Sequence, residues 1–484
     1  MRRRPLHMSG EALDALRSAL VELRTELKIP LAFPKRVLKA ADRAAARPDL
    51  DHEDATHLPF FTIDPSTSKD LDQAMHLERR SGGGFRVYYA IADVAAFVRP
   101  GSLLEAEARD RIETLYFPDL KVPLHPPVLS EDAASLLPCK DRPALLWQHD
   151  LDADGNVTES TVTRAMVRSR AKYSYQGVQQ DIENGTAAES VALLREIGKL
   201  RENIEIKREG ISVHLPNQEV TFKDGSFRLS YAATLPVEGW NEQISLMTGM
   251  AAAQIMIDSG TGILRTQKEQ TDPHVVERLH KIAKCLGITW DPGVSYAALV
   301  RKLDPKNQKH MAFLTEATTT MPKAEYTVFR DHQTPEHTMH AAIAAPYAHC
   351  TAPLRRLVDR YTGALCVAAC ADEDPPEWVL DALHCLPCDM ARGKGGVADR
   401  QTLDLAEAAV LMHRVGEVFD AAVVDTDAEW DRPRMGKVYL ADPAVLAKVS
   451  STDGEDLCLG ATVRATLKVA DPAADGDKVL FSVP

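Results

Sequence analysis

Directly after the run Phe60-Phe61-Thr62-Ile63 the chain reads Asp64-Pro65-Ser66-Thr67-Ser68-Lys69-Asp70-Leu71-Asp72-Gln73-Ala74, with three carboxylates inside nine residues. No other feature narrows the fold as much. A short, mostly apolar run of this kind forms a buried strand. The acids that follow it therefore sit on a loop at the edge of a core, close enough to repel one another. Hard oxygen ligands clustered this way suit Mg²⁺, which takes one or two carboxylates and completes its octahedron with water and substrate phosphate. Such ions activate water, bind phosphoryl oxygens and stabilise a leaving 3′-oxygen. An EF-hand is excluded, because Lys69 and Met75 stand where that motif requires glycine and glutamate. A solvated acidic loop is the plain alternative.

A second informative stretch is Tyr347-Ala348-His349-Cys350-Thr351-Ala352-Pro353-Leu354-Arg355-Arg356-Leu357-Val358-Asp359. Adjacent arginines entering a helix offer a planar, bidentate clamp to a phosphate. Taken alone, an arginine pair on a helix is more often solvated or salt-bridged.

The rest of the chain organises around these two stretches. At 484 residues it is long enough for several domains, and 45% hydrophobic with 26% charged residues excludes disorder and collagen-like structure. Leu13, Leu16, Leu20, Leu23 and Leu27 recur at three- and four-residue steps, predicting a helix with Ser9 as N-cap and Pro30 at its end. Pro34 opens a second helix, with Val37, Leu38 and Ala41 on one face and Pro48 beyond its end. Arg2, Arg3, Arg4, Arg17, Arg24, Lys28, Lys35, Arg36, Lys39, Arg43 and Arg47 make the first fifty residues cationic, although the formal net charge of the chain is -13. That total excludes an all-over basic coat, but not a local basic channel. Residues 188–208, 238–258, 341–370 and 397–416 read as helix. Gly82-Gly83-Gly84 is a turn and not a phosphate cradle, since no Lys-Ser/Thr follows it. β-rich runs at 418–424, 436–440, 463–469 and 479–483, split by Asp/Gly/Pro loops, predict a small five-stranded barrel of the OB type.

Together, the acidic loop and the arginine motif resemble the catalytic RNB domain of the ribonuclease II family, in order and in separation along the chain. Ala90-Ile91-Ala92-Asp93-Val94 running to Pro100-Gly101-Ser102, Thr114-Leu115-Tyr116-Phe117-Pro118, Pro123-Leu124, Leu129-Ser130 and Met321-Pro322-Lys323-Ala324-Glu325-Tyr326 extend the resemblance. It implies an α+β fold in three parts: a basic, helix-turn-helix-like module over 1–56, an RNB catalytic domain over 57–416 and an S1-type OB barrel over 417–484. The implied activity is a 3′→5′ exoribonuclease that uses Mg²⁺, or Mn²⁺ in its place, to degrade single-stranded RNA to nucleoside 5′-monophosphates. By the same resemblance, Asp64, Asp70 and Asp72 form the acidic cluster, and Asp72 is the acid most needed for cleavage. Arg355, with Arg356 beside it, holds the phosphate at the scissile bond. Tyr116 stacks on the terminal base, and Glu242 contacts substrate.

The sequence departs from the family pattern at four points. Gln73 stands where a fourth aspartate is usual, leaving a neutral oxygen ligand at the metal. Asp399 replaces a glutamate late in the domain. The second base-stacking aromatic falls near His214, and basic helices stand where the family has two cold-shock barrels. Those helices are expected to form part of the RNA entrance. Cys385-Leu386-Pro387-Cys388, near Cys366, Cys370 and His384, is a weak zinc signal against ordinary reduced cysteines. With no run of eighteen apolar residues and no apolar stretch behind Met-Arg-Arg-Arg-Pro-Leu-His, a cytoplasmic monomer with no membrane span, no secretory signal and no obligate protein partner is expected. Two readings of other classes remain: an RNA-binding module silenced by Gln73, and a scaffold whose acidic barrel binds a protein.

Overall fold

Along the strand Phe85–Ala92, successive side chains point to opposite faces, and both faces are buried. Phe85, Val87, Tyr89 and Ile91 enter one core while Ala90 and Ala92 enter another. A strand with two buried faces must lie inside a sheet covered on both sides. In the computed structural model, which describes residues 10–211, 217–223, 226–232, 234–270, 272–304, 307–426, 434–452 and 456–484, that is where it lies. Arg2, Arg3, Arg4, Ser9 and His214 fall outside the described residues.

The first part of the chain contains eight strands: β1 (Glu53–Asp54), β2 (Phe60–Ile63), β3 (Gln73–Arg79), β4 (Phe85–Ala92), β5 (Leu115–Tyr116), β6 (Lys121–Val122), β7 (Asp141–Leu151) and β8 (Val157–Tyr173). Six of them form one sheet in the order β1-β8-β2-β3-β4-β7. The long β8 pairs antiparallel with β7 up to Arg168, then runs parallel to β2 through 169–173. The sheet thus closes on itself. β5 and β6 form a separate small hairpin.

Three early helices are α1 (Gly10–Glu26), α2 (Lys35–Ala46) and α3 (Leu103–Arg111); behind the sheet come α4 (Tyr175–Asn184), α5 (Glu189–Lys207) and α6 (Pro236–Ser259). Trp240, Ile244, Met247 and Met256 of α6 share the core of Val87, Tyr89 and Trp147, and the Tyr89 hydroxyl lies 2.7 Å from Ser245 Oγ. Gly249 of α6 admits a close backbone approach. A Cβ there would fall 2.2 Å from the Tyr347 ring, and Ala348 N donates to the Gly249 carbonyl at 3.0 Å. The segment leading to Arg355 is thereby laid across α6.

Of the expected helix over 341–370, only Leu357–Cys370 forms. Pro346 and Pro353 each remove a backbone donor and restrict the residue before them. The intervening chain is a short hairpin and a loop. That loop carries Arg355.

The C-terminal strands Val418–Thr426, Met435–Leu440, Val445–Ser451, Thr462–Ala470 and Val479–Val483 close into a barrel around Phe419, Val438, Val449, Leu467 and Phe481. Ala408 and Leu411, at the end of helix Gly395–Leu411, join that core and anchor the barrel to the preceding domain.

α1 and α2 form as expected, but they share no core. Leu16, Leu20 and Leu23 of α1 pack with Leu115, Phe117 and Val122 of the β5–β6 hairpin and with Leu405 and Ala409. Val37 and Ala41 of α2 pack with Phe97, Leu104 and Leu129. The two helices are docked separately on the larger domain. Arg24, almost wholly buried on α1, makes two hydrogen bonds to Asp119 in the hairpin turn, at 2.7 and 3.1 Å, and lies over the Phe117 ring. Removing one partner of such a pair strands a buried charge. Asp119→Asn should therefore lower stability by about 3 kcal/mol, read by denaturant unfolding. The double variant Arg24→Met with Asp119→Leu should recover much of that loss, and equal losses in the two proteins would show that the ion pair is not what fixes α1.

Candidate active site

Asp72 stands immediately before β3 with its side chain only 6% exposed. Its Oδ1 accepts from Leu354 N at 2.8 Å and its Oδ2 from Arg355 Nε at 3.1 Å. One carboxylate thus joins two motifs separated by 282 residues of chain. The neighbouring Arg356 is committed elsewhere. It forms a two-point pair with Asp359 at 3.0 and 2.8 Å, and Asp359 also accepts from Ala352 N at 2.7 Å. Arg356 is thus the arginine that fixes the loop. Arg355 is half exposed, and no described acceptor reaches its Nη groups.

The loop between β2 and β3 is pinned from outside. Asp64 N donates to the Tyr173 carbonyl at 3.1 Å, and Lys172 Nζ donates to the carbonyls of Ser66 and Ser68 at 2.9 and 2.5 Å. Ser135 Oγ accepts from Leu71 N at 2.9 Å and donates to the Lys69 carbonyl at 2.6 Å. Five residues of an otherwise free loop are held this way, which fixes where the acids point.

Asp70 is held from the β5–β6 hairpin. The Tyr116 hydroxyl donates to its Oδ2 at 3.1 Å, and Lys121 Nζ approaches its Oδ1 at 3.1 Å while also pairing with Glu131 at 2.5 Å. The Tyr116 ring remains half exposed beside this contact. Burial of its hydroxyl end, with Asp70 beside it, pushes the phenol up, so it stays a neutral donor.

Asp64 has no hydrogen-bond donor on its carboxylate among the described residues. Burial, and next the charge of Asp72, push its pKa up to about 7. Burial also raises Asp72 to about 7, against the opposing pull of Arg355. Two partly desolvated carboxylates within electrostatic reach of each other are a site short of positive charge. Among the described residues no group of three or more His, Cys, Asp or Glu side chains converges on one metal position. Asp70 is turned to Lys121 instead. The donor set that remains, Asp64 and Asp72, is the one- or two-carboxylate set that suits a Mg²⁺ keeping several waters.

The other expected residues make no described hydrogen bond to the Asp72 carboxylate. Gln73 opens β3, and its Nε2 donates to the Thr351 carbonyl at 2.5 Å, so the amide ties β3 to the arginine loop. Glu242 is exposed on α6 and lines a cleft of about 400 Å³ with Glu202, Gln243 and Arg301. Its neighbour Asn241 donates through Nδ2 to the Tyr175 hydroxyl at 3.3 Å, and Tyr175 lies within electrostatic reach of Asp64. Asp399 lies on helix Gly395–Leu411, close enough to Glu113 for that charge, after burial, to raise its pKa. Cys385 Sγ lies 3.1 Å from His384 Nε2, whereas Cys366 is buried against the Ala252 carbonyl at 3.7 Å. Lys121, Glu131, Ser135, Lys172 and Asp359 were not singled out by sequence reasoning. A lone lysine or serine carries no pattern, and only Asp359, three residues past Arg356, could have been paired with an arginine in advance.

Comparison with known proteins bears on the domains and the family. A family model described as the RNB domain matches residues 52–370, and one described as the RNase II-type exonuclease C-terminal S1 domain matches residues 417–482. The chain is 32% identical over 235 residues to exoribonuclease 2 of Actinobacillus pleuropneumoniae, covering 45% of this chain and 36% of that protein. It is 24% identical over 481 residues to ribonuclease R of Escherichia coli, covering 92% of this chain and 57% of that protein. The chain therefore spans roughly a third to just over half of these curated relatives. Its fold is shared with Mycoplasma genitalium RNase R, solved in complex with ribose-methylated single-stranded RNA, at a TM-score of 0.80 and 18% identity, covering 97% of this chain and 78% of that one. With two thirds of its length matched by the RNB model and the acidic loop joined to the arginine loop through Asp72, the chain belongs to the RNB-domain family.

Proposed function

We propose that the protein is a hydrolytic 3′→5′ exoribonuclease that takes single-stranded RNA, works with a divalent cation, Mg²⁺ or Mn²⁺, and releases nucleoside 5′-monophosphates. The observation that supports this reading is the Asp72 bridge, which sets the Arg355 guanidinium, with no described acceptor on its Nη groups, beside Asp72 and the unpaired Asp64. In this reading Arg355 presents its free Nη groups to a phosphate oxygen, where developing negative charge strengthens the contact. Asp72 fixes the orientation of that guanidinium through Nε. The exposed ring of Tyr116 offers a stacking face to the terminal base without reading its identity. Lys121 and the Tyr116 hydroxyl hold Asp70 against the hairpin, so stacking and acid placement are mechanically linked. Asp64 and Asp72 would hold the cation, whose contribution when bound is Lewis acidity toward phosphoryl oxygen and activation of water. Zinc is disfavoured there, since the donors are oxygens only.

Asp72→Asn keeps the shape of the side chain and removes its charge. It should lower kcat by about 10²–10³-fold while RNA affinity changes little, measured by single-turnover cleavage and by fluorescence anisotropy. Near-normal turnover would reject the assignment, and absence of nucleotide release from the parent protein with Mg²⁺ or Mn²⁺ would favour the silenced RNA-binding reading.

Tyr116→Ala should lengthen the shortest products, because stacking is worth about 1–3 kcal/mol per base and the last nucleotides have little else holding them. Tyr116→Phe keeps the ring and loses only the bond to Asp70, so its product ladder should match the parent's. Indistinguishable ladders for Tyr116→Ala and parent would remove the stacking role.

A folded-state pKa of about 7 for Asp64 and Asp72 lies above the ordinary carboxylate value. The native state then binds more protons than the unfolded chain between pH about 4 and about 7, so stability from these groups falls as pH rises through that window. A cation relieves the repulsion only where the carboxyls are ionised, since metal and protons compete. Mg²⁺ should therefore raise the melting temperature clearly at pH about 8 and little at pH about 5.5. An equal shift at both, in calorimetry against chelated controls, would place the cation elsewhere.

A further inference from the structure

The cationic N-terminus is not one surface. On α1 the basic residues are engaged: Arg24 is buried against Asp119, and Arg17 pairs with Asp14 at 3.8 Å and lies over the Phe222 ring. On α2 they are not. Lys35, Arg36, Lys39 and Arg43, with Arg47 at the helix C-cap, are all exposed, and no described acid pairs with any of them. Lys35, Lys39, Arg43 and Arg47 recur at four-residue steps, which on a helix places them one above another along a single stripe at intervals of about 6 Å. Val37 and Ala41 hold the opposite face in the core. The only acid on the helix is Asp42.

The location bears on the partner. α2 packs on α3 and on the short turn Leu129–Ala133. Glu131 of that turn pairs with Lys121, which in turn contacts Asp70. The stripe is thus one packing layer from the candidate active site, on a chain whose net charge is -13. A regularly spaced, unneutralised cationic row on an otherwise acidic protein fits a regularly spaced polyanion.

We propose that the outer face of α2 is a docking rail for the phosphodiester backbone of RNA upstream of the 3′ end, with Lys35, Lys39, Arg43 and Arg47 as its phosphate contacts. The proposal rests on the exoribonuclease reading for where the 3′ end lies, but its binding surface is tested without hydrolysis. RNA is favoured over an anionic membrane because the row is a single line of charge with little apolar surface beside it: Val37 and Ala41 are buried, and Leu38 is the one large apolar side chain of α2 left exposed.

The test uses the full-length protein in chelator and a 5′-labelled single strand of about 20 nucleotides, with affinity followed against salt. Each phosphate contact adds about 0.7 to the slope of log affinity against log salt for single strands. The triple variant Lys35→Gln, Lys39→Gln, Arg43→Gln should therefore lower the slope by about 2 and weaken binding at low salt at least tenfold. A matched triple, Lys199→Gln, Lys284→Gln and Lys468→Gln, removes the same charge from exposed positions elsewhere and should leave the slope near the parent's. Equal slopes for the α2 triple and the parent, or equal losses in the two triples, would overturn the rail while leaving the exoribonuclease reading intact. A parent protein that binds no RNA would overturn both. Loss of binding to phosphatidylserine vesicles in the α2 triple, with RNA affinity unchanged, would assign the face to a membrane instead.

Discussion

A buried carboxylate is costly to keep ionised unless donors surround it, and Asp72 has two of them. One is a backbone N–H at Leu354 and the other a guanidinium at Arg355, both from a loop that β3 reaches only because the sheet and α6 bring them together. Without the carboxylate, Leu354 N loses its acceptor and Arg355 loses the group that orients it. Without the loop, a charge with a pKa already raised to about 7 would be stranded inside the protein. The two motifs are therefore coupled through a single side chain, and the rest of the site is arranged around that contact.

What surrounds it divides into a rigid wall and a braced edge. The wall is β2, buried throughout, with β3 and β4 beside it, and Lys172 and Ser135 hold the loop between the first two. The edge is the β5–β6 hairpin, only two residues per strand, too short to be stable alone in water. Its apolar residues are completed by α1 and by the helix Gly395–Leu411, and its turn is fixed by Arg24. Tyr116 and Lys121 inherit their positions from that support. The N-terminal helix is thus part of how Asp70 is held, although none of its residues touches the acid.

The sequence made the acidic loop, the arginine loop and the barrel legible for different reasons. Three acids after an apolar run, and short β-rich runs separated by turn residues, are local patterns that survive without knowledge of tertiary structure. The helix expected from 341 failed because apolar content alone outweighed Pro346 and Pro353, whose missing donors decide the backbone there. The brace was invisible for the opposite reason. Arg24 reads as one more cation on a basic helix, and only the fold shows it buried against Asp119. Likewise the eleven basic residues of the first fifty read as one patch, whereas the structure separates those engaged on α1 from those exposed on α2. Glu242 and Asp399 were carried by resemblance, and the hydrogen-bonded centre around Asp72 includes neither.

Gln73 shows why a departure from a family pattern need not be a defect of the site. A carboxylate at the start of β3 would stand beside Asp72, adding repulsion where two carboxyls already have raised pKa values. It would also face the Thr351 carbonyl, an acceptor to which an ionised acid has nothing to donate. The amide instead gives that carbonyl a hydrogen bond at 2.5 Å, two residues before the Pro353 turn that delivers Arg355. One unit of negative charge is exchanged for a tether on the arginine loop. With Asp70 paired to Lys121 and Asp72 to Arg355, the acid of the centre left without an ion-pair partner among the described residues is Asp64.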